Sequence, residues 1–161
     1  MAEESQGAVL VEPPRGMYPA RLDEKGRLKL PEKFQRYLGG LTDKKLFVTS
    51  LDRHMATVYP IAIWRENETL FAQHRENPKV AKRVWFTAQE LGSEAEMDGQ
   101  GRIQFSPELR RELGIENQPV KVLVDNGAIQ VMSEPMFNAR KAEAVQSPED
   151  DVEMLQRAGL K

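Results

Sequence analysis

The 161-residue sequence predicts an α+β fold, mainly β with short helices, built from two tandem modules. Three observations predict it. The stretch Leu22-Asp23-Glu24-Lys25-Gly26-Arg27-Leu28-Lys29-Leu30-Pro31 returns as Met97-Asp98-Gly99-Gln100-Gly101-Arg102-Ile103-Gln104-Phe105-Ser106-Pro107, at an offset of 75 residues that also relates Arg36 to Arg111, Leu38 to Leu113 and Gly39 to Gly114. A repeat at fixed period divides a chain into similar units. Both copies read as a β-hairpin running into a short helix, and Asp125-Asn126-Gly127 between two apolar runs marks a further hairpin.

In each copy the turn is Asp-x-x-Gly. The side chains of Asp23 and Asp98 can accept backbone N–H bonds just ahead of them, while Gly26 and Gly101 supply the positive-φ residue of a bulged turn. Arg27 and Arg102 then occupy the first residue of the returning strand. Pro31 suits the first position of the helix in copy one, and Ser106 caps that of copy two with Pro107 behind it. Gly39 and Gly114 stand where a helix closes in the left-handed region.

Residues 1–15 hold Pro13-Pro14 and no periodicity, and are expected to form a flexible arm. The first module spans 16–77, with strands from Met17 to Leu22, Arg27 to Leu30, Lys45 to Thr49 and Thr57 to Tyr59. Pro60 opens a helix carrying Ile61, Trp64 and Phe71, which ends at Asn77-Pro78. A connecting helix and linker occupy 78–92, with Val80, Val84 and Trp85 expected to face inward. The second module, 93–144, has strands from Ser93 to Met97, Val120 to Val124 and Ala128 to Met132, then a helix from Pro135 to Ala144. An acidic C-terminal tail, 145–161, reads as a short helix capped by Ser147 and ending near Gly159.

Composition removes several function classes. Net charge is −2, with 25 acidic residues against 23 basic, yet residues 21–45 carry eight positive charges against four negative. The terminal segments 1–15 and 134–161 are each net −2. A basic stripe on an acidic chain is a local field, and association follows the local field. The chain has no Cys, and His54 and His74 have no ligand-forming neighbours at metal spacing, so neither a disulfide framework nor a metal site is expected. Phosphate-binding loops, nucleophile elbows and metalloprotease motifs are missing, and no catalytic constellation is apparent. No cofactor is expected, and the chain reads as neither an enzyme nor a membrane protein. Tyr59, Trp64, Trp85 and Phe86 fall in apolar patterns and are expected in the core rather than stacked on bases.

Two DxxGR motifs, each followed by a Pro-led helix, together with Tyr59-Pro60 and Trp64, resemble the MraZ family of bacterial transcriptional regulators. The resemblance runs from about Arg15-Gly16 to Ala142. It implies an AbrB-like swapped-hairpin fold, in which the two modules interleave as a pseudo-dimer into a β-barrel-like body. It also implies head-to-tail homo-oligomeric rings that bind promoter DNA at short direct repeats and repress the division and cell-wall gene cluster, in the cytoplasm and at the nucleoid. The DxxxR signature falls on Asp23 and Arg27, and on Asp98 and Arg102. The sequence departs from the family in its acidic tails and in Gly99, which leaves the second turn without the charges of Glu24 and Lys25.

On that basis Arg27 and Arg102 are the candidates for base edges or phosphates, and Lys25, Lys29, Lys33 and Arg36 for positioning on the backbone. Asp23, Gly26, Asp98 and Gly101 are candidates for shaping the turns. Turn geometry by itself requires no Arg after Gly, so an ion pair with the preceding Asp and a contact with DNA both stay open for Arg27 and Arg102. Two other function classes stand beside DNA binding: a protein-interaction module such as an antitoxin on the same fold, and a structural ring component.

Overall fold

In the computed structural model, which describes residues 11–161, one eight-stranded antiparallel sheet forms the body. The strands are β1 (Tyr18–Leu22), β2 (Arg27–Lys29), β3 (Leu46–Thr49), β4 (Ala56–Pro60), β5 (Ser93–Ala95), β6 (Arg102–Gln104), β7 (Pro119–Asp125) and β8 (Ala128–Ser133). The helices are α1 (Glu32–Gly39), α2 (Ile61–Gln73), α3 (Pro78–Leu91), α4 (Pro107–Leu113), α5 (Glu134–Ala144) and α6 (Pro148–Arg157). Strand order is β5-β3-β4-β8-β7-β1-β2-β6. The end strands β5 and β6 are consecutive in the chain, so the turn between them spans the opening and the sheet is a nearly closed barrel. Such closure leaves little free strand edge.

The order interleaves the two copies as the swapped-hairpin expectation requires. β1 of the first copy pairs with β7 of the second, and β5 of the second with β3 of the first. Exchanging each strand for its repeat partner returns the same ring read backwards. The axis of this pseudo-dyad passes through the β2–β6 pair, where Leu28 faces Ile103, its own equivalent, and Arg27 faces Gln104 as Lys29 faces Arg102. Leu28 and Ile103 are wholly buried, as are Leu30, Phe34, Phe105 and Leu109. Repeat-related positions therefore build one shared core, which suits modules too small to bury enough surface alone.

A second cluster lies under α2, where Trp64 packs at a tilt against Phe47 (centroids 4.6 Å apart) and Tyr59 (5.0 Å) and edge-on to Phe71 (6.0 Å). Tyr59 and Trp64 are core residues, as their pattern indicates. Trp85 and Phe86 are not: they stay 45% and 60% exposed on α3, and Val80 is exposed beside them. α3 turns a different stripe inward, Ala81, Val84, Ala88 and Leu91, with Ala88 and Leu91 buried. Small residues win that face because the helix runs close to the sheet. The buried Thr49 hydroxyl donates to the Ala88 carbonyl at 2.7 Å, and a side chain at Gly92 would collide with Phe47.

Three local expectations need correction. Gly39 is the last residue of α1, and the chain leaves through Gly40 in a right-handed conformation, whereas Gly114 does close α4 at φ 65°. Ser106 caps α4 by accepting from the Leu109 N–H at 3.2 Å, but Ser147 makes no such bond at α6. Residues 1–10 of the proposed arm lie outside the described residues, and Val11 is no free arm, since it packs on the core and touches Gly40.

Gly26 and Gly101 both hold positive φ, 78° and 76°, and both lie against the other copy. A side chain at Gly26 would take the space of the Arg110 guanidinium, and one at Gly101 that of the Gln35 amide. Gly26→Ala is expected to lower stability by about 1–3 kcal/mol through the strained backbone alone, with a further loss as Arg110 is displaced. In an Arg110→Ala background the cost of Gly26→Ala should shrink, and a double-mutant cycle by urea unfolding checks this; strictly additive losses would contradict it.

Candidate nucleic-acid interface

The two hairpin turns are built alike, bond for bond. In the first, Asp23 Oδ1 accepts the backbone N–H groups of Lys25 and Arg27, each at 2.9 Å, and Asp23 Oδ2 accepts Arg27 Nε at 2.9 Å. In the second, Asp98 Oδ1 accepts from Gln100 and Arg102 N–H and Oδ2 from Arg102 Nε, again at 2.9 Å. Arg27 and Arg102 thus have the structural task that turn geometry alone did not assign them. Each uses only Nε for it, and the terminal Nη groups of both make no hydrogen bond among the described residues. One guanidinium can therefore brace a turn and still offer paired donors outward.

The turns also lock into each other. The Leu30 N–H donates to the Gly101 carbonyl at 3.0 Å, and the equivalent Phe105 N–H to that of Gly26 at 2.9 Å. Gln104 Nε2 donates to the Lys25 carbonyl at 2.8 Å, and Lys29 Nζ to that of Gln100. Beneath them, Arg110 Nη1 bonds the Lys25 and Phe105 carbonyls at 3.1 and 2.9 Å, while Gln35 Nε2 bonds Leu30 at 2.8 Å. The two tips are fixed relative to one another at the β2–β6 seam.

Strand alternation sends Leu28 and Leu30 inward and Arg27 and Lys29 to the outer face. Arg21 on β1 pairs in register with Lys29 on β2, which pairs with Arg102 on β6. Three basic side chains thereby form a row across three adjacent strands, with Arg27 two residues along β2 on the same face and the exposed Lys25 at the turn. Arg21 was not among the sequence candidates; once the Asp23 turn fixes the hairpin register, its position opposite Lys29 would have found it. Lys33 and Arg36 lie elsewhere, on a groove with Val11, Glu12 and Pro14, where Lys33 Nζ donates to the Tyr18 hydroxyl at 3.2 Å.

The pseudo-dyad is geometric and not electrostatic. Arg21, Lys25, Arg27, Lys29, Lys33 and Arg36 correspond to Glu96, Gln100, Arg102, Gln104, Glu108 and Arg111. Only two of the six cations recur in the second copy, and two become acidic. Among the described residues no cluster of His, Asp or Glu could hold a metal ion, and no helix is long and apolar enough to cross a membrane.

No protein-family model matches the chain. It is 38% identical over 98 residues to a transcriptional regulator MraZ of Acidobacterium capsulatum, covering 61% of this chain and 66% of that protein. The MraZ regulator of Corynebacterium kroppenstedtii is 31% identical over 133 residues, 82% of this chain and 89% of its own. That of Variovorax paradoxus is 30% identical over 140 residues, 86% and 94% of the two chains.

Both turn carboxyls are held below the ordinary Asp range, first by the backbone N–H of the following Arg, with the arginine side chain adding to it. A depressed native value means that the charged form stabilises the fold above the unfolded-state value, and that this contribution disappears as pH falls through the native value. The loss should begin near pH 4, around the ordinary Asp value of about 3.9. Asp23→Asn with Asp98→Asn is expected to cost stability at pH 6 and progressively less as pH falls below about 4, as read by urea midpoints across that range. A cost that stayed constant with pH would show that the carboxylate charge is not what holds the turns.

Proposed function

The chain belongs to the MraZ family of transcriptional regulators, and from that premise we propose that it is a sequence-specific DNA-binding repressor that grips DNA through the outer face of β1, β2 and β6. The observation that carries this reading is the row Arg21, Lys29 and Arg102, with Arg27 and Lys25 beside it. A two-stranded ribbon fits the major groove, about 12 Å wide. Arg27 and Arg102, pre-oriented by their Asp partners, present the bidentate donors that read guanine O6 and N7, while Lys25, Lys29 and Arg21 meet phosphates. The repeated operator sites, the ring homo-oligomer, the division and cell-wall gene cluster as target, and action at the nucleoid without catalysis all belong to the same proposal. They are supported by the family membership and by the heterologous pairing that a two-copy chain permits.

A single face with about three phosphate contacts binds weakly at physiological salt, since log K falls by about 0.9 per contact per decade of salt. Assembly offsets this, because each further tip on the same DNA binds intramolecularly, raising avidity by roughly 10²–10⁴. Affinity for fragments of the chain's own promoter should therefore rise steeply from one repeat to four and fall when half a helical turn is inserted between repeats. In the same titrations Lys29→Ala should lower the salt slope by about 0.9 for each tip engaged, whereas Gln104→Ala, at the equivalent position of the second copy, should leave it unchanged. Equal affinity for one repeat and four would refute the assembly component. Equal effects of Lys29→Ala and Gln104→Ala would refute the one-sided face.

A further inference from the structure

The last helix of the chain lies outside the part that resembles the family, and among the described residues it packs on nothing. From Asn138 onward every residue of α5, α6 and the segments after them is exposed, and α6 has no buried residue. Two of its three large apolar residues, Val152 and Leu155, nonetheless share one face, with Met154 off it. Val152 and Leu155 are one turn apart, and the helix closes in a Schellman-type cap: Gly159 holds φ 121° and the Leu160 N–H donates back to the Leu155 carbonyl at 3.0 Å. That cap brings Leu160 toward Leu155 and extends the stripe, which stays exposed at 46%, 57% and 49% for Val152, Leu155 and Leu160. Glu149 and Asp151 flank it. A ten-residue helix is below the length of about 12–15 residues at which isolated helices become even marginal in water. Such a helix persists when its apolar face is covered.

A second uncovered apolar surface lies on α2 and α3. There Phe71, Ala72, Ala81, Trp85 and Phe86 line a groove of about 490 Å³, with Lys82 at its α3 edge and Glu68 at its α2 edge. α3 carries Lys79, Lys82 and Arg83 and no acidic residue before Glu90, so the α3 side of the groove is basic. The tail helix is apolar with an acidic rim. We propose that α6 of one copy docks in the α2–α3 groove of a second copy, Val152, Leu155 and Leu160 against Phe71, Trp85 and Phe86, with Glu149 and Asp151 facing Lys79, Lys82 and Arg83. α2 packs on β4 and β3, and α3 on β3, in the first half of the barrel, whereas α5, which leads to the tail, packs on β7 and β8 in the other half. The donor and acceptor surfaces thus sit on opposite halves of the pseudo-dyad. A contact between two different patches is heterologous and propagates head to tail, closing into a ring when the rotation permits. The tail acts as a strap between neighbours. This contact needs self-association but no DNA, so it stands or falls separately from the DNA-binding face.

The chain has no Cys, which allows a direct test in the full-length protein without DNA. Phe86→Cys and Leu155→Cys change exposed side chains, and unchanged thermal unfolding of each would confirm intact folding. When equimolar amounts of the two variants are mixed at low micromolar concentration under mild oxidation, the expected product is a disulfide-linked dimer containing one of each. Reversing Lys79, Lys82 and Arg83 to Glu in the Phe86→Cys partner should reduce that product at least tenfold, and Glu149→Lys with Asp151→Lys in the other partner should restore it. Cross-linking confined within one chain of the Phe86→Cys/Leu155→Cys double variant would overturn the proposal in favour of the tail covering its own groove. Cross-links only between two Leu155→Cys chains, or none, would overturn it outright.

Discussion

Neither hairpin turn is complete within its own copy, and this constraint governs the fold. Gly26 and Gly101 each present a carbonyl that is satisfied by the other copy, through the N–H groups of Phe105 and Leu30. Buried backbone groups left without partners are costly, so one copy's turn stabilises only in the presence of the second. The same seam buries Leu28 against Ile103 and places Arg110 and Gln35 beneath the opposite tips. Both copies must therefore lie in one body, and the 75-residue offset is the covalent form of what would otherwise be a dimer interface.

Fixing the seam fixes the outer face as well. Because strand alternation is strict, committing Leu28 and Ile103 to the core commits Arg27, Lys29, Arg102 and Gln104 to the exterior. The Asp–Arg pairs add orientation without consuming the guanidinium, since each is engaged through Nε alone. Exposed ion pairs are worth little on average; here the main effect is to hold an arginine, which otherwise has many rotamers, in one pose before any partner arrives. Holding a side chain in its bound pose lowers the entropic cost of binding.

Much of this was legible in the residues. The Asp-x-x-Gly turns, the Asn-Gly hairpin, the Ser106 cap and the helix opened at Pro60 follow local chemistry, and the structure keeps them. What escaped were features decided by distant partners. α3 has two apolar stripes, and the one with the larger side chains, Val80 and Trp85, looks like the core face; the close approach of Thr49 and Phe47 selects the smaller one. Gly39 precedes a second glycine, Gly40, either of which could end α1, and sequence does not choose between them. The role of Arg21 depends on strand register, whereas the Asp23–Arg27 pair was one of the two roles that the sequence left open. Register was accessible through the turn, but the pairing of β2 with β6 was not, because it joins segments 75 residues apart.

Joining two copies in one chain also frees them to diverge, and the charges record that divergence. A true two-fold dimer would present identical tips and would match an inverted pair of half-sites. In this chain the geometry of the seam is kept, through Asp98, Gly101 and Arg102, while Glu96, Gln100, Gln104 and Glu108 replace Arg21, Lys25, Lys29 and Lys33. The residues retained are those that build the turn, and the residues lost are cations that the turn does not need. In the proposed complex, phosphate attraction would come mainly from one side of the axis, which would give each subunit a direction along the duplex. Units that share a direction match direct repeats, and they need several copies to match the grip of one symmetric dimer. The electrostatic asymmetry and the proposed head-to-tail assembly thus draw on the same feature, two halves in one chain that do not have to be equal.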